Sequence, residues 1–362
     1  MVKRSVIYFN ANLSRIATSP KDFLHRFNLY AQYLRKVSSD GEISIRMILG
    51  GPPVSFQGNT LKVTSLSKNP LTQFTYLYRE LKEIKGPKTL ISGDVDFSLL
   101  ICLIVKSFVS QVGLQISIHG SYDSIFLAKG VKAILKRRLL LLGISHAKSV
   151  RIVSESDLGK FQSLVSGNSS KLFVSPIPIQ LPSKEVDLSR KSKIALVGRL
   201  HKERGLSEFV EIFQKLEEGV QTQELLIVGG GPEEAWLRKQ LDLCSRTNTR
   251  FLGHLDQEDL SMLWGDIKVL VSCAPQESYG MALREAVANG SFVIAKKNDT
   301  TISLAKLYPE LISTYSNPDE GASLIYERLL MTPPSEAVER IGESLYIQQD
   351  NYLVALATSW IS

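Results

Sequence analysis

Short apolar runs alternate with stretches of helical spacing along most of this chain. That pattern restricts it to folds in which parallel strands are joined by crossover helices. In the first half, residues 5–9, 43–49, 89–92, 114–119 and 151–154 read as strands, and residues 22–37, 71–84 and 97–109 as helices. Phe23, Phe27, Tyr30, Leu34 and Val37 fall on one side of the first helix. A Pro-containing, basic stretch at 176–193 reads as an interdomain linker. The second half repeats the alternation, with strands at 193–197, 224–228, 250–252 and 269–272. In open α/β sheets the loops that follow such strands hold ligands.

The densest group of chemical residues lies at 276–298, QESYGMALREAVANGSFVIAKKN. It reads as loop, helix, turn and buried strand, with Asn289-Gly290 suited to ending the helix. Glu277 and Glu285 bracket seven residues. The first precedes the helix and the second lies within it. A helix N-terminus offers free backbone N–H groups to an anion, so carboxylates beside it suit a ligand carrying hydroxyls and phosphates. Arg284, between the two glutamates, reads as solvated.

This segment resembles the E-x7-E motif of the retaining glycosyltransferases of family 4, enzymes of the two-domain GT-B fold that move a sugar from a nucleotide donor. The resemblance implies an α/β chain with two Rossmann-like domains facing across a cleft. It places an acceptor-binding domain at 1–180 and a nucleotide-sugar-binding domain at 181–345. A C-terminal helix at 346–362 would return to the first domain.

It also implies roles. Glu277 would face the transferred sugar and its developing positive charge, and Glu285 would bind the ribose hydroxyls. Ser278, Tyr279, Gly280 and Met281 would line the donor, the last three through backbone N–H groups. ALVGRLHKERGL is similar to the family's first C-domain loop, which implies that Gly198 approaches the donor and Arg199 holds its diphosphate. Arg204 stands where the family usually has a lysine; guanidinium keeps the charge but changes the geometry. LLIVGGGPEEAWLRKQL resembles a second glycine-rich turn and makes Gly230 a donor contact. FLGHL resembles the base-binding segment and implies His254 and Leu255, through main-chain atoms. IHGSYD places His119 near the donor sugar, and HRFNLYAQYL makes His25 a weaker candidate. The family's glycine pair after the first strand is missing from NANLSRIATSPKD.

Charge adds a constraint on partners. Residues 1–180 hold 24 Lys and Arg against 10 Asp and Glu, whereas residues 181–362 hold 19 against 26. A basic first half favours an anionic partner. In KGVKAILKRRLLLLGISHAK, residues Lys129, Lys132, Lys136, Arg137 and Arg138 flank leucines and isoleucine. Such a basic amphipathic helix can rest on an anionic membrane surface. Nucleic acid is disfavoured because the aromatic residues are not interleaved with the basic ones. The longest apolar run, 97–105, is too short to span a bilayer. The basic-then-apolar start reads as a buried strand rather than a signal segment. Cys102, Cys244 and Cys273 lack metal-ligand spacing and read as buried thiols of a reducing compartment. No His/Cys cluster with metal-ligand spacing is present, and neither metal nor cofactor is expected.

The reading is therefore a retaining, metal-independent, cytoplasmic glycosyltransferase. It would use a UDP- or GDP-sugar donor and a glycan or lipid-linked acceptor in cell-surface polysaccharide or glycolipid synthesis. Alternatives are a GT-B-fold phosphorylase or epimerase, or a non-catalytic protein that binds nucleotide sugars.

Overall fold

A computed structural model describes residues 4–12, 20–38, 43–50, 55–57, 61–120, 122–165, 169–182, 186–216, 223–244 and 248–361. The chain forms two compact units, Met1–Pro178 with Asp350–Ser362, and Ile179–Gln349. The breaks expected at 180/181 and 345/346 thus fall at 178/179 and 349/350.

The first unit is built on strands β1 (Arg4–Asn10), β2 (Ile43–Gly50), β3 (Ser55–Gln57), β4 (Leu61–Leu66), β5 (Lys88–Ser92), β6 (Val112–Ile118), β7 (Ser149–Ile152) and β8 (Leu172–Val174). Their order in the sheet is β3-β4-β2-β1-β5-β6-β7-β8. All neighbours are parallel except β3 on β4. Helices α1 (Pro20–Val37), α2 (Pro70–Glu83), α3 (Phe97–Phe108), α4 (Tyr122–Phe126), α5 (Val131–His146) and α6 (Leu158–Gln162) connect them. Asn69 caps α2, its side chain accepting the Leu71 N–H, and Pro70 occupies the first helical position.

Central strands covered on both faces carry nearly continuous apolar sequence. Ile7 and Phe9 of β1 pack into one core with α2, α3 and α5. Val6 and Tyr8, on the opposite face, pack with Phe27, Tyr30 and Leu34 of α1. The period of two along a strand assigns these faces.

The second unit holds β9 (Lys193–Val197), β10 (Glu224–Val228), β11 (Asn248–Gly253), β12 (Ile267–Ser272), β13 (Phe292–Lys296) and β14 (Ile312–Tyr315), all parallel, in the order β11-β10-β9-β12-β13-β14. Its helices are α7 (Leu206–Gln214), α8 (Glu234–Cys244), α9 (Gln257–Leu263), α10 (Met281–Ala288), α11 (Asp299–Leu307) and α12 (Pro318–Leu330). The last helix, α13 (Ser335–Ile361), starts in this unit, where Val338, Ile341 and Leu345 join its core. It ends in the first unit, where Leu353, Leu356, Ala357 and Trp360 pack beside α1. Trp360 meets Tyr30 edge to face, with ring centroids 5.6 Å apart.

One expectation changes here. The stretch read as a linker is largely part of the second unit. Ile179 lies in its core, and the buried Lys191 ammonium donates to the Trp264 and Ile267 carbonyls at 2.7 and 3.0 Å. A lysine with two carbonyl partners can be buried where a bare one cannot. The segment read as a basic amphipathic helix is α5. Along it only Leu140, Gly143 and Ile144 are buried, and Ile134, Leu135, Leu141 and Leu142 are exposed beside the basic residues. Cys102 and Cys273 are buried free thiols, whereas the Cys244 side chain lies outside the described residues.

Candidate active site

The strand order of the second unit reverses between β9 and β12. That is the topological switch point, where loops diverge and leave a crevice. The loops after these two strands carry most of the residues singled out in the sequence.

The loop after β9 starts at Gly198 (φ 148°) and runs through a single tight turn at Lys202–Arg204 into Gly205. Gly205 is left-handed, with φ 69°. A β-carbon there would collide with the Cys273 carbonyl oxygen, so only glycine lets this loop lie against the end of β12. The close approach delivers Arg204 to the neighbouring loop. Its Nη2 stands 2.7 Å from Glu277 Oε1, with side chains about a quarter and a tenth exposed. Arg199, by contrast, is 70% exposed at its side chain and paired 3.0 Å from Glu203, one helical turn away.

The glycines after β10 serve the loops themselves. Gly229 packs on the Gly198 carbonyl and Gly231 on the Leu200 carbonyl, leaving no room for β-carbons. The Leu200 N–H donates to the Gly230 carbonyl at 3.0 Å, and the Glu233 N–H to the Leu200 carbonyl at 3.1 Å. Gly230 is the member of the turn with room for a β-carbon, which would meet Glu234 Oε2 at 3.8 Å. His254 is exposed after β11, and Leu255 packs partly against the core.

The loop after β12 carries Glu277 and Ser278. It is braced from α11: Thr300 Oγ1 donates to the Glu277 carbonyl at 2.8 Å, and Asn298 Nδ2 to the Ala274 carbonyl at 3.2 Å. Gly280 (φ 72°) then turns the chain into α10, which begins at Met281. The first N–H groups of α10 have no partner within the helix, and they open beside Glu277.

Arg284 is not solvated as its charge had implied; the residue is 8% exposed. Every residue from Leu283 to Ala288 is buried, because α10 is wedged within the core. The guanidinium lies 4.2 Å from the Tyr279 ring centroid, and its Nε donates to the Tyr279 carbonyl at 3.2 Å. Planar, weakly hydrated guanidinium tolerates such a site.

Glu285 is 6% exposed, and its Oε1 accepts the Gln180 N–H at 3.0 Å. Burial lifts its carboxyl to about 7, with the Gln180 N–H pulling the other way. A carboxylate held near neutrality is a mark of functional sites.

In the first unit His119 follows β6, with both ring nitrogens buried and the Gly93 backbone beside the ring. Burial, reinforced by the charges of Arg151 and Arg26, lowers its imidazole to about 3. His25 is exposed on α1. The loop expected to lack the glycine pair lies, at residues 13–19, outside the described residues. The sequence reading passed over Asn10, Arg26, Arg151, Gln180 and Thr300; Asn10 at the end of a first strand was the visible clue among them.

The sequence model of the family described as glycosyl transferases group 1 matches residues 181–342. A poly(glycerol-phosphate) alpha-glucosyltransferase of Bacillus subtilis (strain 168) is 26% identical over 157 residues, which are 42% of this chain and 23% of that protein. The chain thus matches less than a quarter of that relative's length. Among solved structures, HepE of Anabaena in complex with UDP superposes with a TM-score of 0.70 at 13% identity, over 98% of this chain and 100% of that one. The sucrose-phosphate synthase of Thermosynechococcus elongatus gives a TM-score of 0.70 at 15% identity, with the same coverage of 98% and 100%. WaaG, a glycosyltransferase involved in lipopolysaccharide biosynthesis, gives 0.64 at 13%, over 99% of each chain. Residues 181–342 are thus similar to the glycosyl transferases group 1 family, on a chain with the two-domain fold of the GT-B glycosyltransferases.

Proposed function

We propose that this protein is a retaining glycosyltransferase that takes a sugar from a UDP- or GDP-linked donor bound by its second unit. The observation that carries the reading is the Arg204–Glu277 pair at the switch point, beside the N-terminus of α10. Breaking the donor's glycosidic bond leaves negative charge on the diphosphate. Arg204, Arg199 and the α10 N–H groups are cations and dipoles placed to stabilise that leaving group as it forms. Side-chain cations of this kind do the work that a divalent ion does elsewhere. As Arg204 turns to the diphosphate, Glu277 is released towards the sugar and its developing positive charge. Glu285 accepts the ribose hydroxyls, exchanging the Gln180 N–H for them. The printed activity of the Bacillus subtilis relative and the UDP held by HepE support a nucleotide-sugar donor.

The acceptor is a glycan or lipid-linked molecule received by the basic first unit at the cytoplasmic face of a membrane. There α3 packs beside α5, and Phe108 of α3 and Val131 and Leu135 of α5 are 68%, 73% and 59% exposed. Lys132, Lys136 and Arg138 are exposed among them, whereas Arg137 is committed to the Phe126 and Ala128 carbonyls. Apolar side chains beside lysines suit an anionic lipid surface. No helix among the described residues is long and apolar enough to cross a membrane.

A second reading, a binder without turnover, is favoured by one observation: both motif glutamates are already engaged, Glu277 by Arg204 and Glu285 by Gln180. A screen of UDP-, GDP- and ADP-sugars separates the two, following nucleotide release and thermal stabilisation in the absence of metal. Release from one donor supports the transferase. Stabilisation without release, with membrane extract as acceptor, supports the binder. No response to any nucleotide sugar removes both.

A further inference from the structure

The first unit has its own switch point, where β1 lies between β2 and β5. Asn10 ends β1, Gly93 follows β5 and His119 follows β6, so the three lie along one carboxyl edge. Period-two alternation puts Tyr8 and Asn10 of β1 on the face covered by α1, and His119 follows the same parity beyond β6. The residues between them, Phe9 and Ile118, belong to the opposite core.

This edge holds donors without acceptors. Asn10 is 2% exposed; its Oδ1 accepts the Asn12 N–H at 2.9 Å, but its Nδ2 has no partner. The Arg26 Nε is likewise buried and unpartnered, and the buried imidazole of His119 lies beside the Gly93 backbone. A β-carbon on Gly93 would sit 2.9 Å from Asn10 Nδ2 and against the Tyr8 hydroxyl, so glycine keeps the space between these groups open. Buried polar atoms are satisfied in the great majority of native structures, so a cluster of exceptions marks a place where water, an ion or a ligand group completes the bonding.

The charge has one sign. The cations of Arg26 and Arg151 act on both Tyr8 and His119. Arg151 is 3% exposed and donates only to neutral oxygens, the Ser175 and Pro176 carbonyls and the Tyr30 hydroxyl. No ion pair joins Arg26 or Arg151 to a carboxylate among the described residues. Asp94 also acts on Tyr8, and its Oδ1 accepts the Val95 N–H at 2.6 Å. The buried guanidinium of Arg151 and the half-buried one of Arg26 put positive charge behind these N–H donors, which is complementary to an oxyanion.

We propose that Asn10, Arg26 and His119, with the Tyr8 hydroxyl and the charge of Arg151 behind them, form a binding site for a phosphate-type anion carried by the acceptor. Neutral sugar hydroxyls would leave the guanidinium charge unanswered, whereas a phosphate monoester or diester answers it and accepts several N–H bonds at once. Arg26 supplies the charge, Asn10 fixes the orientation, and the neutral His119 ring lines the site. The acceptor is then a phosphorylated glycan, a phosphate-containing polymer or a phosphate-linked lipid. This deepens the transferase reading and rests on it for the word acceptor; the anion site itself does not.

The test uses the full chain without donor. Inorganic phosphate, glycerol 3-phosphate and glucuronate are titrated by calorimetry, with the histidine ring signals followed by NMR. The expected result is binding of glycerol 3-phosphate with a shift of the His119 signal, and weaker binding of glucuronate. Arg26→Gln should weaken binding at least tenfold and Arg26→Lys should restore part of it. Asn10→Asp, which keeps the bond to the Asn12 N–H but reverses the local charge, should abolish it. UDP should not compete. Equal binding by wild type and Arg26→Gln, displacement by UDP, or no binding of either phosphate would each overturn the proposal. A protein that binds phosphate here but ignores every nucleotide sugar would keep the site and lose the transferase.

Discussion

Arg204 Nη2 stands 2.7 Å from Glu277 Oε1 and ties the loop after β9 to the loop after β12. The two residues are far apart in sequence and become neighbours because β12 returns to the side of β9 that β10 leaves free. The contact depends on Gly205, which takes φ 69° and presses on the Cys273 carbonyl. Gly205→Ala should cost at least about 2 kcal/mol, since alanine meets both a disfavoured backbone and a collision. Urea unfolding of the two proteins measures it.

Glu285 links stability to pH. Its folded carboxyl titrates at about 7, above the ordinary 4.5. Between these values the folded state holds a proton that the unfolded state has lost, so stability falls as pH rises through this window and the penalty is complete above it. Glu285→Gln removes the penalty. The variant should gain about 3 kcal/mol at pH 8 and almost nothing at pH 4.5. If Glu285 also accepts ribose hydroxyls, the same variant should bind nucleotide more weakly while being more stable, a trade-off common at functional sites. Chemical denaturation across pH, with nucleotide titration beside it, reads both effects.

Arg284 should resist its conservative replacement. Lysine cannot stack flat on the Tyr279 ring while donating to the Tyr279 carbonyl, as the guanidinium does at 4.2 and 3.2 Å. Arg284→Lys should cost about 1–2 kcal/mol through lost cation–π and hydrogen-bond energy. Thermal or urea unfolding of wild type and variant gives the value.

Those residues mark how far the sequence could be read. The strands, the switch-point loops and the E-x7-E helix follow from periodicity and local turn residues, which are short-range signals. Arg284 was misjudged because a charge in a short helix looks solvated until the packing on both its sides is known. The glycine-rich turn was read for its donor contact at Gly230, and Gly229 and Gly231 on either side of it were given no role. Their reason is backbone contact with Gly198 and Leu200, across two strands, which spacing in the chain does not encode. Lys191 and Gln180 were taken for linker because proline and basic residues usually mark one. Their partners, Trp264, Ile267 and Glu285, lie more than seventy residues away.

The exposed mixture of leucines and lysines on α5 predicts lipid binding that depends on charge. Replacing Lys132, Lys136 and Arg138 by glutamine should remove about 1 kcal/mol of membrane affinity per residue, together roughly a hundredfold. Sedimentation with vesicles containing anionic lipid should show the loss, and neutral vesicles should bind wild type and variant alike.

The most direct test of the second unit's function is nucleotide release from a sugar donor by wild type and Arg204→Gln in parallel. Losing one preorganised cation at the leaving group is worth about a hundredfold in turnover. The predicted result is release by the wild type without added metal and a fall of about that size in the variant, with the fold intact. Equal release by the two proteins would contradict the assignment of Arg204 and Glu277 to the donor site.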